Sequence, residues 1–375
     1  MTIKAPKVLF ILKQRMPGPY GSWNNSSNGQ PLASGLFISA QEMTKALDEM
    51  QIENKLVHVI DNNCIDREVT KYKPTHVMIE AFWVVPEKFD VLKRLHPKVK
   101  WVVRNHSKPA FLANEGGMVG WALDYIRKGV TVASNSLEAT RDFKVMAEAL
   151  HLDPRLSVYL PNYYQSSPPK RCKELVKWAK LLRSLGFDEG AELPEDGELH
   201  IGCFGAVRPM KNHLTQAIAA IELATALGLR LNFWINGDRI EGKGDAHIKS
   251  IRELFKRFPA FELHELSWQK HDDFVELVKK MHIVTQVSNS ETFNIVAADA
   301  VANGVPVVGS AEIPWLDHEY TADPGSAFDI AKTMMHVWEN SERKLLQADQ
   351  LLALRRYTEH TKEVWARYLH GAKPC

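Results

Sequence analysis

Short apolar runs alternate with stretches in which apolar side chains recur at helical spacing. Lys7–Leu12, Leu56–Ile60, His76–Glu80, Lys100–Arg104 and Gly129–Ala133 read as strands. Gly35–Met50 reads as a helix, with Leu36, Ile38, Met43, Ala46 and Leu47 on one face. Strands alternating with helices predict a parallel sheet and an α/β domain.

The pattern breaks at YLPNYYQSSPP, which carries prolines and polar residues and no period. A helix-like stretch over residues 170–184 and an acidic loop, DEGAELPEDGE, follow. A second series begins at His200. Ile201–Val207 reads as strand and turn, Asn212–Leu227 as a helix and Leu231–Ile235 as a strand. Asp245–Phe258 reads as a helix, Phe261–Leu263 as a short strand, Asp272–Met281 as a helix and Ile283–Val287 as a strand. Residues 327–369 read as helical. The expected organisation is an α/β domain over 1–163, a linker over 164–198, a second α/β domain over 199–326 and C-terminal helices over 327–375. Open parallel sheets bind ligands at the carboxyl ends of their strands, so two such domains point to a cleft between them.

Hydrophobic residues make up 45% and charged residues 25% of the chain, which fits a soluble globular protein. A net charge of +2 makes no general case for nucleic acid or a membrane surface. No apolar run approaches the ~20 residues of a membrane helix. Cys64, Cys172, Cys203 and Cys375 are far apart and form no CxxC pair, which predicts a reduced, cytoplasmic setting without structural zinc. There is no GxxxxGK[ST] loop, no GxSxG and no acid cluster that reads as a metal site, so metal-dependent and serine-nucleophile chemistry lose support.

The most informative segment is VSNSETFNIVAADAVANGVPVVGS, Val287–Ser310. It holds a polar loop with Glu291, a short apolar helix with Asp299, and a stop that runs into a strand. Thr292, Phe293, Asn294 and Ile295 sit at the helix start, where backbone N–H groups and the helix dipole suit an anion. Glu291 either caps that helix or accepts hydrogen bonds from sugar hydroxyls. Asp299 is either a solvated or core-rim acid or a ligand for ribose hydroxyls.

In FGAVRPMKN a strand ends at a turn through Gly205, and Arg208 and Lys211 precede the next helix. Cations there oppose the helix dipole, which favours a diphosphate clamp over plain surface charge. In NFWINGDR a strand runs into an expected turn at Asn236-Gly237-Asp238, where glycine permits close approach of a ligand. Trp268 follows the next short strand. His106 lies just past the fourth strand, as a ligand contact or a loop histidine. The loop over residues 16–34 is long enough to be functional, ends beside Gly35 and carries Tyr20 and Trp23 as candidate acceptor contacts. Residues 170–183 place Lys170, Arg171, Lys173, Lys177, Lys180 and Arg183 around Leu175, Trp178 and Leu182, as a solvated linker helix or a surface contact.

The Val287–Ser310 segment resembles the donor-site signature of retaining glycosyltransferases with the GT-B fold, the family-4 type (group 1). Ser288, Glu291, Asp299, Gly304, Pro306, Val307 and Val308 occupy its serine, paired-acid, glycine and Pro-Val-Val places. Val287 stands where the family has proline, and Asp299 where it has glutamate, one methylene longer. The Gly205, Arg208 and Lys211 arrangement and Gly35 match as well.

The resemblance implies two Rossmann-like domains facing a central cleft, the first on the acceptor side and the second binding a nucleotide diphosphate sugar. It implies that Arg208 and Lys211 stabilise the departing diphosphate and that Glu291 and His106 orient the sugar. Gly35, Gly205, Asn236, Gly237, Trp268, Asp299 and residues 292–295 would contact the donor. No metal and no resident cofactor is expected, because the cationic clamp takes the metal's place. The acceptor stays open among glycan, lipid, small molecule and a hydroxymethylated DNA base. An epimerase, a phosphorylase and a non-catalytic nucleotide-sugar binding protein are the alternatives.

Overall fold

The computed structural model describes residues 5–14, 35–166, 194, 196–340 and 343–371. The loop over 16–34 and the basic stretch over 170–183 lie outside the described residues. The chain forms two compact units, Met1–Gln165 with Tyr357–Cys375, and Ser166–Arg356.

The first unit holds a six-stranded sheet in the order β2-β1-β3-β4-β5-β6. Its strands are β1 (Lys7–Lys13), β2 (Glu53–Val59), β3 (His76–Glu80), β4 (Lys100–Asn105), β5 (Thr131–Ser134) and β6 (Ser157–Tyr159). All pairings are parallel. Each face of the sheet is covered. On β1, Val8 and Phe10 pack with Met43 and Leu47 of the helix Gly35–Glu49 and with Trp365. The alternate residues Leu9 and Ile11 join Phe89 and Tyr125 on the other side. Burial on both faces is why the central strands read as unbroken apolar runs. β6 was not expected: at three residues, it has no such run to betray it.

The second unit holds a five-stranded parallel sheet in the order β11-β10-β7-β8-β9. Its strands are β7 (Glu198–Val207), β8 (Arg230–Ile240), β9 (Glu262–Glu265), β10 (Ile283–Gln286) and β11 (Val307–Gly309). β7 pairs with β8 on one side and with β10 on the other, so the strand order reverses between β7 and β10. Such a switch point opens a crevice at the carboxyl ends of the two strands.

The turn expected at Asn236-Gly237-Asp238 does not form. β8 continues through it as a bulge: Asn236 pairs with Ala206 and Ile240 with Val207, and the register shifts between them so that residues 237–239 have no partner on β7. The turn signal shows up here as an irregularity within a strand that resumes pairing at Ile240. Gly237 serves a different need, because a Cβ there would lie 2.4 Å from Glu265 Oε2.

Residues 327–369 are helical as expected, in two helices, Ala327–Glu339 and Arg343–Leu369. The last helix belongs to the second unit up to Arg356 and to the first from Tyr357 onward. Its Trp365 is fully buried and lies 6.1 Å from the Phe10 ring. Among the described residues, no helix is long and apolar enough to cross a membrane.

Candidate functional site

The switch point of the second unit is built by side chains that no local pattern connects. Gly205 has φ +112, a conformation side chains avoid, and it turns its N–H to Asn236 Oδ1 at 2.8 Å. A single 3-10 turn, Pro209–Lys211, follows, and then the helix His213–Leu227. Asn212, at φ 57, fixes the junction by donating to the carbonyls of Val287 (3.1 Å) and Pro324 (2.8 Å). Gln216 donates to Lys211 O (2.7 Å), and its own Oε1 accepts from Thr285 Oγ1 (2.9 Å) and Val287 N (2.8 Å). Asn289 N donates to Met210 O at 2.8 Å. These bonds lace the turn after β7 to the loop after β10. They bring Lys211 Nζ within 2.5 Å of Glu291 Oε1, with the two side chains only 11% and 10% exposed. An ion pair that far from water persists only when both partners are present.

The remaining cations cluster around one acid. Arg208 lies 3.5 Å from Glu241, and Arg239 binds the same carboxylate through Nε (2.8 Å) and a terminal nitrogen (2.7 Å). The Arg239 guanidinium stands 3.9 Å from the centroid of the Trp268 ring, a cation–π contact. The Trp268 backbone N–H reaches Asp238 Oδ2 at 3.2 Å. Lys211, Arg208 and Arg239 are thus each held beside a carboxylate. A diphosphate arriving at these cations would compete with, or add to, those partners.

Glu291 does not cap the helix. Asn294, at φ 65, does so through Oδ1, which accepts from Ala297 N at 2.9 Å. The helix starts at Ile295, so Thr292 and Phe293 precede it. A short Asn side chain reaches the third helical N–H, whereas the longer Glu291 extends to Lys211. Phe293 is buried against Trp315, whose indole N–H donates to the Phe293 carbonyl at 2.7 Å.

Asp299 is 1% exposed, and its Oδ1 is 2.9 Å from His271 Nε2, so it is a paired acid rather than a solvated one. His271 opens the helix His271–Val278, one residue ahead of the expected start. The sequence carried no signal linking it to an acid on a different helix.

His106 and Gly35 belong to the first unit. Gly35 opens the helix Gly35–Glu49 and is exposed. His106 lies in a cluster at the carboxyl ends of β3 and β4. Its Nε2 is 2.6 Å from Glu80 Oε2, and Arg104 donates to Glu80 Oε1 at 2.8 Å. Burial opposes the Glu80 charge, yet Arg104 and the His106 hydrogen bond outweigh it and hold the carboxyl below its ordinary value. Burial also depresses the His106 imidazole against the opposing pull of Glu80. Neither Glu80 nor Arg104 stood out in the sequence, because a charge closing an apolar run reads as a strand end.

Among the described residues, Asp196, Glu198 and His200 bring potential metal ligands within 4.8 Å of one another, at the amino end of β7 and away from the switch point. Trp234 Nε1 donates to His200 Nδ1 at 3.2 Å. That bond leaves the proton of the neutral ring on Nε2, the atom facing Glu198, so the ring is poorly set to bind a cation.

No family model and no curated protein matches the sequence. Solved structures do match. An alpha,alpha-trehalose-phosphate synthase (UDP-forming) from Burkholderia vietnamiensis is similar with TM-score 0.63 at 11% identity, over 98% of this chain and 98% of that one. HepE of Anabaena, solved in complex with UDP and glucose, is similar with TM-score 0.59 at 15% identity, over 98% of this chain and 100% of that one. An E. coli trehalose-6-phosphate protein bound with UDP-2-fluoro glucose gives TM-score 0.62 at 11% identity, over 98% and 100%. At these identities the likeness is one of fold. The chain has the GT-B fold, with its two Rossmann-like α/β units.

Proposed function

We propose that the chain is a retaining glycosyltransferase that moves a sugar from a nucleoside diphosphate sugar to an acceptor hydroxyl without a metal ion. The observation that carries this reading is the Lys211–Glu291 pair at the switch point between β7 and β10, with Arg208 on the same turn. It joins a cation suited to a diphosphate and a carboxylate suited to sugar hydroxyls in one place.

In this reading the bond from the anomeric carbon to the phosphate oxygen breaks, and its electron pair leaves with the diphosphate. Lys211 and Arg208 stabilise the charge that develops there, which is where preorganised cations accelerate a reaction. Glu291 orients the transferred sugar. The acceptor oxygen bonds the anomeric carbon on the face the diphosphate leaves, and its proton passes to a phosphate oxygen. No protein base is needed. The similar structures solved with UDP and glucose or with UDP-2-fluoro glucose make UDP-glucose the first donor to test.

The test is a panel of UDP-, GDP- and ADP-sugars scored by thermal shift, then by slow donor hydrolysis with a chelator present. A ligand that binds only the folded chain raises its melting temperature. A shift with one nucleotide series and chelator-resistant release of nucleoside diphosphate are expected. No shift with any nucleotide sugar at millimolar concentration rejects the reading.

A further inference from the structure

We infer that Gln216 is a positioning residue: its side-chain amide fixes the backbone of Lys211 against the end of β10, and that bracket, rather than the attraction of the charges, sets Lys211 beside Glu291. The inference rests on the proposed function for the step that Lys211 would assist, but not for the coupling between Lys211 and Glu291. All of the residues involved belong to the second unit.

Gln216 is 0% exposed and uses every hydrogen-bonding position of its amide. Nε2 donates to Lys211 O at 2.7 Å and to Asn212 O at 3.1 Å. Oε1 accepts from Thr285 Oγ1 at 2.9 Å and from Val287 N at 2.8 Å. The amide cannot turn over, because that would set its oxygen against two carbonyls and its NH2 against the Val287 N–H. Asparagine is one methylene too short to span both sets of partners, and glutamate lacks the two donors. The bracket is therefore specific to glutamine.

One end of the bracket grips Lys211 itself. The other grips Val287, where the loop that carries Glu291 leaves β10. A lysine stem is long and flexible, so its ammonium keeps one place only when the backbone beneath it is fixed. Burial also strips water from both charges, a penalty that their attraction offsets only in good geometry. Gln216 links the two stretches of backbone that supply this geometry. Gln350 provides a comparison within the same unit. It too is 0% exposed, and it bonds Val307 N at 2.9 Å and Val307 O at 2.7 Å on β11. Those bonds reach neither Lys211 nor the loop after β10, so Gln350 shows what a buried glutamine does for stability alone.

The experiment is a double-variant cycle of Lys211→Ala and Glu291→Ala, read by urea denaturation of the full chain in wild-type, Gln216→Met and Gln350→Met backgrounds. Both methionine variants should be less stable than the wild type. The coupling between Lys211 and Glu291 should fall by about half or more in Gln216→Met and keep its wild-type size in Gln350→Met. Kinetics of donor hydrolysis run beside it. Gln216→Met should lower kcat about 10- to 100-fold with donor KM changed less than about threefold, because a misplacement of about 1 Å loses rate on that scale and Lys211 acts on charge that develops in the transition state. Gln350→Met should keep the wild-type kcat. Full coupling in Gln216→Met, an equal loss in both methionine variants, or no coupling in the wild type overturns the inference whether or not the chain transfers sugar. Lost coupling with a normal kcat overturns the role in transfer. A wild type without turnover counts against the proposed function, and the coupling then decides by itself. If Gln216→Met does not fold, Thr285→Val, which removes a single bond of the bracket, should show a smaller loss of coupling, and unchanged coupling there overturns the inference.

Discussion

Lys211 and Glu291 are 80 residues apart in the chain and 2.5 Å apart in the structure. Removing either one leaves a charge about nine-tenths buried without its partner, at a cost of about 3–5 kcal/mol. Lys211→Ala and Glu291→Ala should each lower stability by that order, and the double variant by less than their sum. Urea denaturation of all four proteins measures the coupling, and strictly additive losses would show that the pair contributes none. On the proposed mechanism, each single variant should also slow transfer by about 100- to 1000-fold. Near-normal turnover in either would remove it from the chemistry.

Stability should fall on acidification because of two buried histidines. Burial, with Lys100 nearby, lowers the His76 imidazole to about 4. Burial, with Lys211 and Arg208 nearby, lowers His213 to about 3. In the unfolded chain both take up protons near their ordinary value of about 6.5, so below that pH the unfolded state binds more protons than the folded one. Stability from this source is therefore present above about pH 6.5 and is lost as pH falls toward the folded values. Each histidine contributes a slope of up to about 1.4 kcal/mol per pH unit. Denaturation midpoints between about pH 7 and pH 5 give the slope, and His76→Gln or His213→Gln should each reduce it by about one proton.

Asp299→Asn should weaken binding of a nucleoside diphosphate about tenfold or more, the range of a charge-assisted hydrogen bond of roughly 1.5–3 kcal/mol. His271→Ala should weaken it in the same direction, because His271 holds the carboxylate. Calorimetry with ribose and 2′-deoxyribose forms of the nucleotide separates the causes. An equal penalty for both forms would argue against an Asp299 contact with the 2′-hydroxyl.

Gly237→Ala should destabilise the second unit by about 1–3 kcal/mol, the usual cost of overpacking. The new Cβ would meet not only Glu265 Oε2 but also the Glu265 Cβ, 2.8 Å away, which cannot rotate aside. Glu265 would have to release Arg252, which it now binds at 2.8 and 2.6 Å. An unchanged melting temperature would show that the strand relaxes freely there.

Much of the fold was legible from neighbours in the chain. β3 was read to its observed ends, and β1, β4 and the helix His213–Leu227 to within one residue, because these apolar runs are long and buried on a parallel sheet. β6 was missed because three residues give no period, and the Asn236-Gly237-Asp238 turn was misread because the strand resumes pairing beyond it, at Ile240, which a local signal does not show. The candidate residues divide in the same way. Gly205, Arg208, Lys211 and Glu291 carried motif-level signals. Glu80, Arg104, Asn212, Gln216, Arg239 and His271 carried none.

The sequence by itself determined which segments are strands and helices, and which residue types stand at their carboxyl ends. Those are consequences of hydrophobic period and of the conformations each residue permits. Only the tertiary structure decided the partners: Lys211 with Glu291, Asp299 with His271, and His106 with Glu80. Strand order brings distant loops together, and burial then makes each charged or polar side chain find its complement. That choice depends on three-dimensional neighbours the chain meets only once folded.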